Sequence, residues 1–300
     1  MNGLSDNLRG ALFMICGMCA YTFNDGFMKG LSGELPLFQA IFIRGSLAVL
    51  FLLIMCKVLG QLRFDLSGRD WRLVSLRTAS ELGATYCFLT ALFHMPIANL
   101  SAILQALPLS VSLAAAVFLR EPLGWRRLTA ILVGFVGVLM IIQPGGAEFT
   151  IYSGYALAAV TCVTVRDIAS RQMSRNVPSV FAALLAAVGV TALGGIGAVF
   201  GHWEPVTIGA GVKIGGAAFW LIIGYIASVA AMRHGDVGFV APFRYTSLVV
   251  AIILGVVIFD EWPNALTWIG ATLVVATGLF TLYRERVKKV KSGPMPVRMR

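Results

Sequence analysis

Apolar residues run along this 300-residue chain in ten stretches of about 18–23 positions, at roughly 9–29, 35–57, 72–93, 98–119, 126–143, 152–172, 179–200, 211–232, 237–259 and 265–283. A helix rising about 1.5 Å per residue crosses a hydrocarbon core of about 30 Å in some 20 residues, so each stretch is long enough to span a membrane. The runs are too long for barrel strands and lack their strict alternation, which leaves helices as the spanning element. The expected fold class is an all-α membrane protein of ten transmembrane helices, with no soluble domain. Short connections at 30–34, 94–97 and 233–236 predict antiparallel neighbours. The longer segment 58–71, holding Arg63, Asp65, Arg69 and Asp70, is expected to form a short interfacial helix.

The pattern is written twice. Moving residues 162–178 back by 142 positions sets Asp167 on Asp25, Thr164 on Thr22 and Pro178 on Pro36. Moving 234–261 back by 140 sets His234 on His94 and Glu261 on Glu121. Two copies of an odd number of spans face opposite ways, and such inverted repeats are a device of secondary transporters. The breakers Pro144-Gly145-Gly146-Ala147 close the first copy and put the join near 145–151.

Composition agrees with the pattern: 58% of residues are hydrophobic, 13% are charged and the mean hydropathy is +0.83. That is too little polar surface to coat a soluble globule. A net charge of +10 would by itself fit nucleic acid, but its placement points to a bilayer. With the N-terminus in the cytoplasm, eighteen of the 24 basic residues fall inside, while Lys29 and Lys213 alone fall outside. By the positive-inside rule both termini are expected in the cytoplasm, and the basic tail at 284–300 reads as a topology anchor able to touch anionic lipid. No nucleic acid partner is expected.

All five cysteines lie within spans, so neither disulfide nor metal framework is implied, and the Cys16–Cys19 spacing lacks a second ligand pair. The first span resembles a signal peptide, yet its repeat counterpart sits mid-chain, so a retained helix is expected. Glycines within spans, such as Gly134, Gly137 and Gly194, favour close helix packing. The run Gly197 to Gly201 fits either internal packing or pairing of two copies, making a homodimer a candidate partner arrangement.

Candidate chemistry comes from charges inside spans, where each costs roughly 2.5–3.5 kcal/mol on insertion scales and therefore seeks a partner or a wet cavity. Arg44 stands near mid-depth of the second span, and its repeat position is Ala186. Arg244 and Tyr245 follow Pro242 in the ninth span, with Gln105 aligned on Tyr245 in the fourth. Asn24-Asp25 near the end of the first span and Arg166-Asp167 near the end of the sixth read either as gates on opposite faces or, for the second pair, as headgroup contacts. Arg77 and Glu81 share one helix face at i, i+4 and are expected to neutralise each other or to line a site. Four arginines against three carboxylates leave one positive charge, which an anionic group on a substrate would balance. Tyr21, Tyr86, Trp220, Tyr225 and Tyr245 offer surfaces for an apolar or ring moiety. Glu121-Pro122 and Glu261-Trp262-Pro263 close the fourth and ninth spans. A glutamate there opposes the helix macrodipole and should be held by another partner. His94 and His234 fall on opposite faces, His202 is isolated, and no HExxH, GxSxG or phosphate loop appears, so neither an enzyme nor a cofactor is expected.

The five-plus-five repeat, mid-span Arg44, Leu119-Arg120-Glu121-Pro122 followed by Gly134 and Gly137, and Phe259-Asp260-Glu261-Trp262 followed by Gly270 and Gly278 together resemble the EamA-type branch of the drug/metabolite transporter superfamily. The resemblance covers the chain as one unit at 9–143 and another at 152–283. It implies a central cavity lined by the first, third, fourth, sixth, eighth and ninth spans, which places Asp25, Glu81, Gln105, Arg166 and Arg244 on cavity helices. Arg44, on a moving flanking span, is expected to pair with Glu81 or Asp25. The resemblance further implies an inner-membrane carrier of a small anionic or zwitterionic metabolite, such as an amino acid, organic acid or S-adenosylmethionine. Proton coupling through Asp25 or Glu81, exchange and facilitated diffusion all fit. The alternatives are an exporter of hydrophobic or cationic drugs and, in another class, a channel or non-transporting membrane subunit.

Overall fold

A computed structural model describes residues 3–121, 123–146, 149–174, 176–233 and 237–291. His234, Asp236, Pro122, Ala147, Arg175 and the basic tail after Lys291 lie outside the described residues. The described elements are helical: α1 (Gly3–Lys29), α2 (Leu37–Val58), α3 (Gly68–His94), α4 (Ile97–Leu104), α5 (Leu107–Phe118), α6 (Trp125–Ile142), α7 (Ile151–Gln172), α8 (Ser179–Phe200), α9 (Ile208–Arg233), α10 (Val237–Val240), a 3₁₀ turn (Ala241–Tyr245), α11 (Thr246–Phe259) and α12 (Ala265–Lys291). Among the described residues, seven segments are long and apolar enough to cross a membrane, with mean hydropathies of 1.8 to 2.2. The long helices α1, α3 and α7 fall outside that set. They carry Asp25, Arg77, Glu81, Arg166 and Asp167.

Two spans are broken at matching places. The fourth is α4 and α5, parted at Gln105-Ala106 ahead of Pro108. The ninth is α10 and α11, parted by the 3₁₀ turn that contains Pro242. Proline removes one backbone donor and crowds the preceding turn, so each break follows from local sequence. No helix forms over 59–67, which corrects the interfacial helix expected there. Ser67 instead caps α3, its Oγ accepting the Asp70 N–H at 3.1 Å, and fixes the helix start at Gly68.

Packing follows the repeat. α1 runs along α9, α3 along α7, α2 along α8 and α6 along α12, while α4 meets α11. When the two halves are exchanged, the α1–α9 pair becomes α7–α3 and the other three pairs map onto themselves, as a pseudo-twofold axis requires. The turns after the fourth and ninth spans also match. Arg120 and Asp260 both take the left-handed conformation, with φ of 54° and 53°. The next residue donates its N–H six residues back, from Glu121 to Ala115 O at 3.3 Å and from Glu261 to Gly255 O at 2.8 Å. Such bonds satisfy carbonyls that the helix end leaves open.

Small residues bring the paired helices together, as close packing in lipid requires. Tyr21 of α1 lies on Gly224 of α9, Phe38 of α2 on Gly197 of α8, and Gly137 of α6 and Gly270 of α12 face each other backbone to backbone. Gly197 is thus filled from within the molecule by Phe38. The largest apolar cluster lies toward the end bearing the 30–36, 95–96 and 260–264 connections. Met28, Leu31, Leu92, Ile97 and Leu100 are fully buried there. That layer closes one end of the bundle.

Candidate functional site

Beneath the closed end lies a cavity of about 550 Å³, lined by residues of α1 to α5, α7 to α9, the 3₁₀ turn and α11. All ten side chains singled out in the sequence, Asn24, Asp25, Arg44, Arg77, Glu81, Gln105, Arg166, Asp167, Arg244 and Tyr245, reach this one lining. Both members of each repeat-related pair line it: Asn24 and Arg166, Asp25 and Asp167, Gln105 and Tyr245, Arg44 and Ala186. The cavity therefore sits on the pseudo-twofold axis. Arg44 is one place where the symmetry is broken by charge.

Asn24-Asp25 and Arg166-Asp167 each stand about one turn before their helix ends, and lining the cavity takes the place of the headgroup contact read for the second pair. α1 continues to Lys29 and α7 to Gln172, and both pairs turn into the same space. Arg44 Nη1 donates to Asn24 Oδ1 at 3.2 Å, and Asn24 Nδ2 donates to Asp25 Oδ1 at 2.9 Å, so the arginine reaches Asp25 through an amide. Its Nε is buried without a partner among the described residues. A buried unpaired donor is costly, which makes this edge of the guanidinium ready for an acceptor from a ligand or water.

The expected Arg77–Glu81 pair is not made. Glu81 turns to Arg166 of the other half at 3.2 Å, and Arg166 also holds Asp167 Oδ1 at 2.9 Å. Arg77 instead donates to the Ala182 carbonyl of α8 at 2.9 Å. The side chains of Arg166, Glu81 and Asp167 keep about a quarter of their surface exposed, with one guanidinium facing two carboxylates. The formal charge of these three side chains is −1, with Arg77 one turn away from Glu81 on the same lining. Opposite in character is Arg244, whose guanidinium meets no hydrogen-bond or ion-pair partner among the described residues. Beside it, Gln105 Nε2 donates to Ser247 Oγ at 2.8 Å, and Ser247 Oγ donates to Arg244 O at 2.9 Å, tying the two broken spans together.

Of the aromatic candidates, Tyr21, Tyr225 and Tyr245 line the cavity, and the first two meet edge to face at 6.0 Å. Tyr86 packs on Phe38 and Tyr155, while Trp220 packs on Phe23 and Phe219, so these two serve packing.

One constellation went unread in the sequence. At the closed end, Lys29 Nζ pairs with Glu261 Oε1 at 2.8 Å and donates to the carbonyls of Met95 at 2.7 Å and Leu92 at 3.3 Å, while Glu261 Oε2 accepts the Ile97 N–H at 2.9 Å. Glu261 thereby finds the partner its helix end demanded. It also caps α4, where an acidic group offsets the positive end of the dipole. The repeat register of Glu261 with Glu121 was the available signal.

The family can now be read from the whole sequence. The profile of the EamA-like transporter family matches residues 8–143 and again residues 150–283. This chain belongs to that family. That family, within the drug/metabolite superfamily, is one of multi-pass membrane transporters and not of enzymes. Among its relatives is the S-adenosylmethionine uptake transporter of Rickettsia bellii, 28% identical over 64% of this chain and 65% of that protein, so the alignment spans just under two thirds of that relative. The pseudopaline exporter of Pseudomonas aeruginosa is 24% identical over 89% of this chain and 93% of its own length. The riboflavin transporter of Vibrio cholerae is 26% identical over 94% and 95% respectively. A solved crystal structure superposes with a TM-score of 0.66 at 17% identity, covering 93% of this chain and 99% of the other, which supports the fold alone.

Proposed function

We propose that this EamA-family transporter is an inner-membrane carrier that moves a small zwitterionic or carboxylate-bearing metabolite by alternating access. In this reading it has ten spans in two inverted five-helix repeats, and both termini are cytoplasmic. The closed Lys29 end faces outward. Ser170, on the cavity lining toward the opposite end, is exposed, which supports access to the cavity from the cytoplasm in this reading.

The observation that carries the substrate class is the division of charge within a single cavity. Arg244 is a cation without a partner among the described residues, while the Glu81–Arg166–Asp167 cluster holds one carboxylate more than its guanidinium neutralises. A carboxylate on Arg244 and an ammonium or sulfonium toward Glu81 and Asp167 would satisfy both poles at once. Tyr21, Tyr225 and Tyr245 would flank the body of the molecule. The relatives named for S-adenosylmethionine, riboflavin and pseudopaline support a metabolite as cargo, and of these S-adenosylmethionine carries the sulfonium and carboxylate that the two poles would take.

A thermal-shift screen of the purified protein against amino acids, organic acids, nucleotides, S-adenosylmethionine and cationic drugs tests the reading. Selective stabilisation by a carboxylate-bearing zwitterion, lost in Arg244→Ala, is the expected result. Stabilisation by lipophilic cations alone would sink it in favour of drug export.

A further inference from the structure

We infer that Arg171 and Glu121 form an inner lock, the repeat counterpart of the Lys29–Glu261 pair, which closes when the cavity turns outward. The inference rests on the alternating-access reading above.

Register and shape point the same way. Glu121 falls on Glu261 at the offset of 140, and Arg171 falls on Lys29 at the offset of 142. The two glutamates are presented by the same turn, each preceded by a left-handed residue and each donating its N–H six residues back. The helices carrying the partners correspond as well, because α1 packs on α11 as α7 packs on α5. Basic groups thus end α1 and α7, and acidic groups follow α11 and α5. At the closed end these features bring Lys29 and Glu261 together at 2.8 Å, with Lys29 only 9% exposed. At the other end Arg171 and Glu121 are both exposed, and neither side chain has an ion-pair or hydrogen-bond partner among the described residues.

In a transporter built from inverted repeats, the opposite-facing state arises when each half adopts the arrangement the other half held. Applied here, that exchange moves the Lys29–Glu261 geometry onto Arg171 and Glu121. Each state is then held by one pair, and the other pair is open. Arginine in place of lysine permits a two-point contact with the carboxylate.

The experiment is a spin-label distance measurement in proteoliposomes, with the five native cysteines replaced by alanine. One label pair at Ser32→Cys and Trp262→Cys reports the outer end, and another at Leu119→Cys and Gln172→Cys reports the inner end. Glu261→Gln should raise the share of molecules with a wide outer distance by about tenfold, since it leaves the buried Lys29 ammonium with carbonyl acceptors but no counter-charge. Glu121→Gln and Arg171→Gln should deplete the narrow inner distance, each by about threefold to tenfold, and the swap Glu121→Arg with Arg171→Glu should restore it. Both residues are exposed in the present conformation, so folded yield should hold. Two distance populations that ignore Glu121→Gln and Arg171→Gln, or a swap that restores nothing, overturn the lock while alternating access stands. A single population in every variant overturns both. Distances that shift as expected while no zwitterion stabilises the protein leave the lock standing and remove the substrate assignment.

Discussion

Replacing Glu81 with glutamine removes one negative charge from the cavity while keeping the shape of the side chain and its capacity to accept from Arg166. The present pole sets two carboxylates against one guanidinium, with Arg166 at 3.2 Å from Glu81 and 2.9 Å from Asp167. After Glu81→Gln the pole is neutral. A ligand ammonium about 5 Å from the lost charge would forfeit about 3 kcal/mol at an effective dielectric of about 20. The lining is partly exposed, and water in the cavity screens that figure to about 1 kcal/mol, or roughly fivefold in affinity. The sign depends on the ligand. Zwitterions should bind about fivefold more weakly, and dicarboxylates without a cation should bind more tightly by a similar factor, so their ratio should move by roughly 25-fold. Competition binding in detergent, with a zwitterion and a dicarboxylate measured on wild type and Glu81→Gln, reads both directions at once. If both affinities fall together, the residue supports the cavity only as structure, and the two-pole assignment fails.

Further outcomes follow from single contacts. A Cβ added at Gly270 would lie 2.5 Å from the Gly137 carbonyl. Overpacking of that kind in Gly270→Ala should cost about 2 kcal/mol and lower the melting temperature by several degrees. Gly215→Ala, with open space around it, should hold or raise that temperature through better helix propensity. Gln39 is fully buried and exchanges two hydrogen bonds with the Glu204 backbone, at 2.7 and 3.0 Å. Gln39→Leu strands both backbone groups and should destabilise by about 2 kcal/mol, checked by thermal unfolding. At the end away from Lys29, Asp70 accepts from the Ser174 N–H, the Ser174 hydroxyl and the Ser67 hydroxyl, in that order of effect, and these hold its carboxyl below the usual range. A depressed carboxyl contributes stability above its unfolded value, near about 4, and loses it as pH falls through the lower folded value. Asp70→Asn should therefore lower the melting temperature at pH 7, by a margin that shrinks progressively as pH falls below about 4.

The helices were legible because their signals are local. Apolar runs of helical length, Pro108 and Pro242 at the breaks, and the shared positions of Thr22 and Thr164 all lie in short windows of sequence. The repeat is visible even in side-chain detail, since both threonines donate to the carbonyl four residues back, at 2.9 and 2.7 Å. Partners contributed by distant helices were harder to read. Arg77 and Glu81 stand one turn apart and can meet, but Arg166 from the other half offers Glu81 a guanidinium shared with Asp167, and the Ala182 carbonyl offers Arg77 an acceptor. Helical spacing gives the opportunity for a pair and says nothing of the competitor. Lys29 escaped for the same reason. Its position at the end of α1 reads as one of two basic residues on the outer side until Glu261 and the Leu92–Met95 corner arrive around it from two other places in the chain. The segment 59–67 misled because its charges suit an interface, while Ser67 settles the local geometry by starting α3.

The central claim is that one cavity on the pseudo-twofold axis serves the two sides of the membrane in turn, and counterflow in proteoliposomes tests it most directly. Vesicles are loaded with the unlabelled ligand returned by the thermal-shift screen and diluted into a trace of the labelled form. The account predicts a transient overshoot of label that saturates with concentration, needs ligand on the far side and disappears in Arg244→Ala. Linear, unsaturable flux that ignores the ligand on the far side would contradict it and mark the protein as a channel.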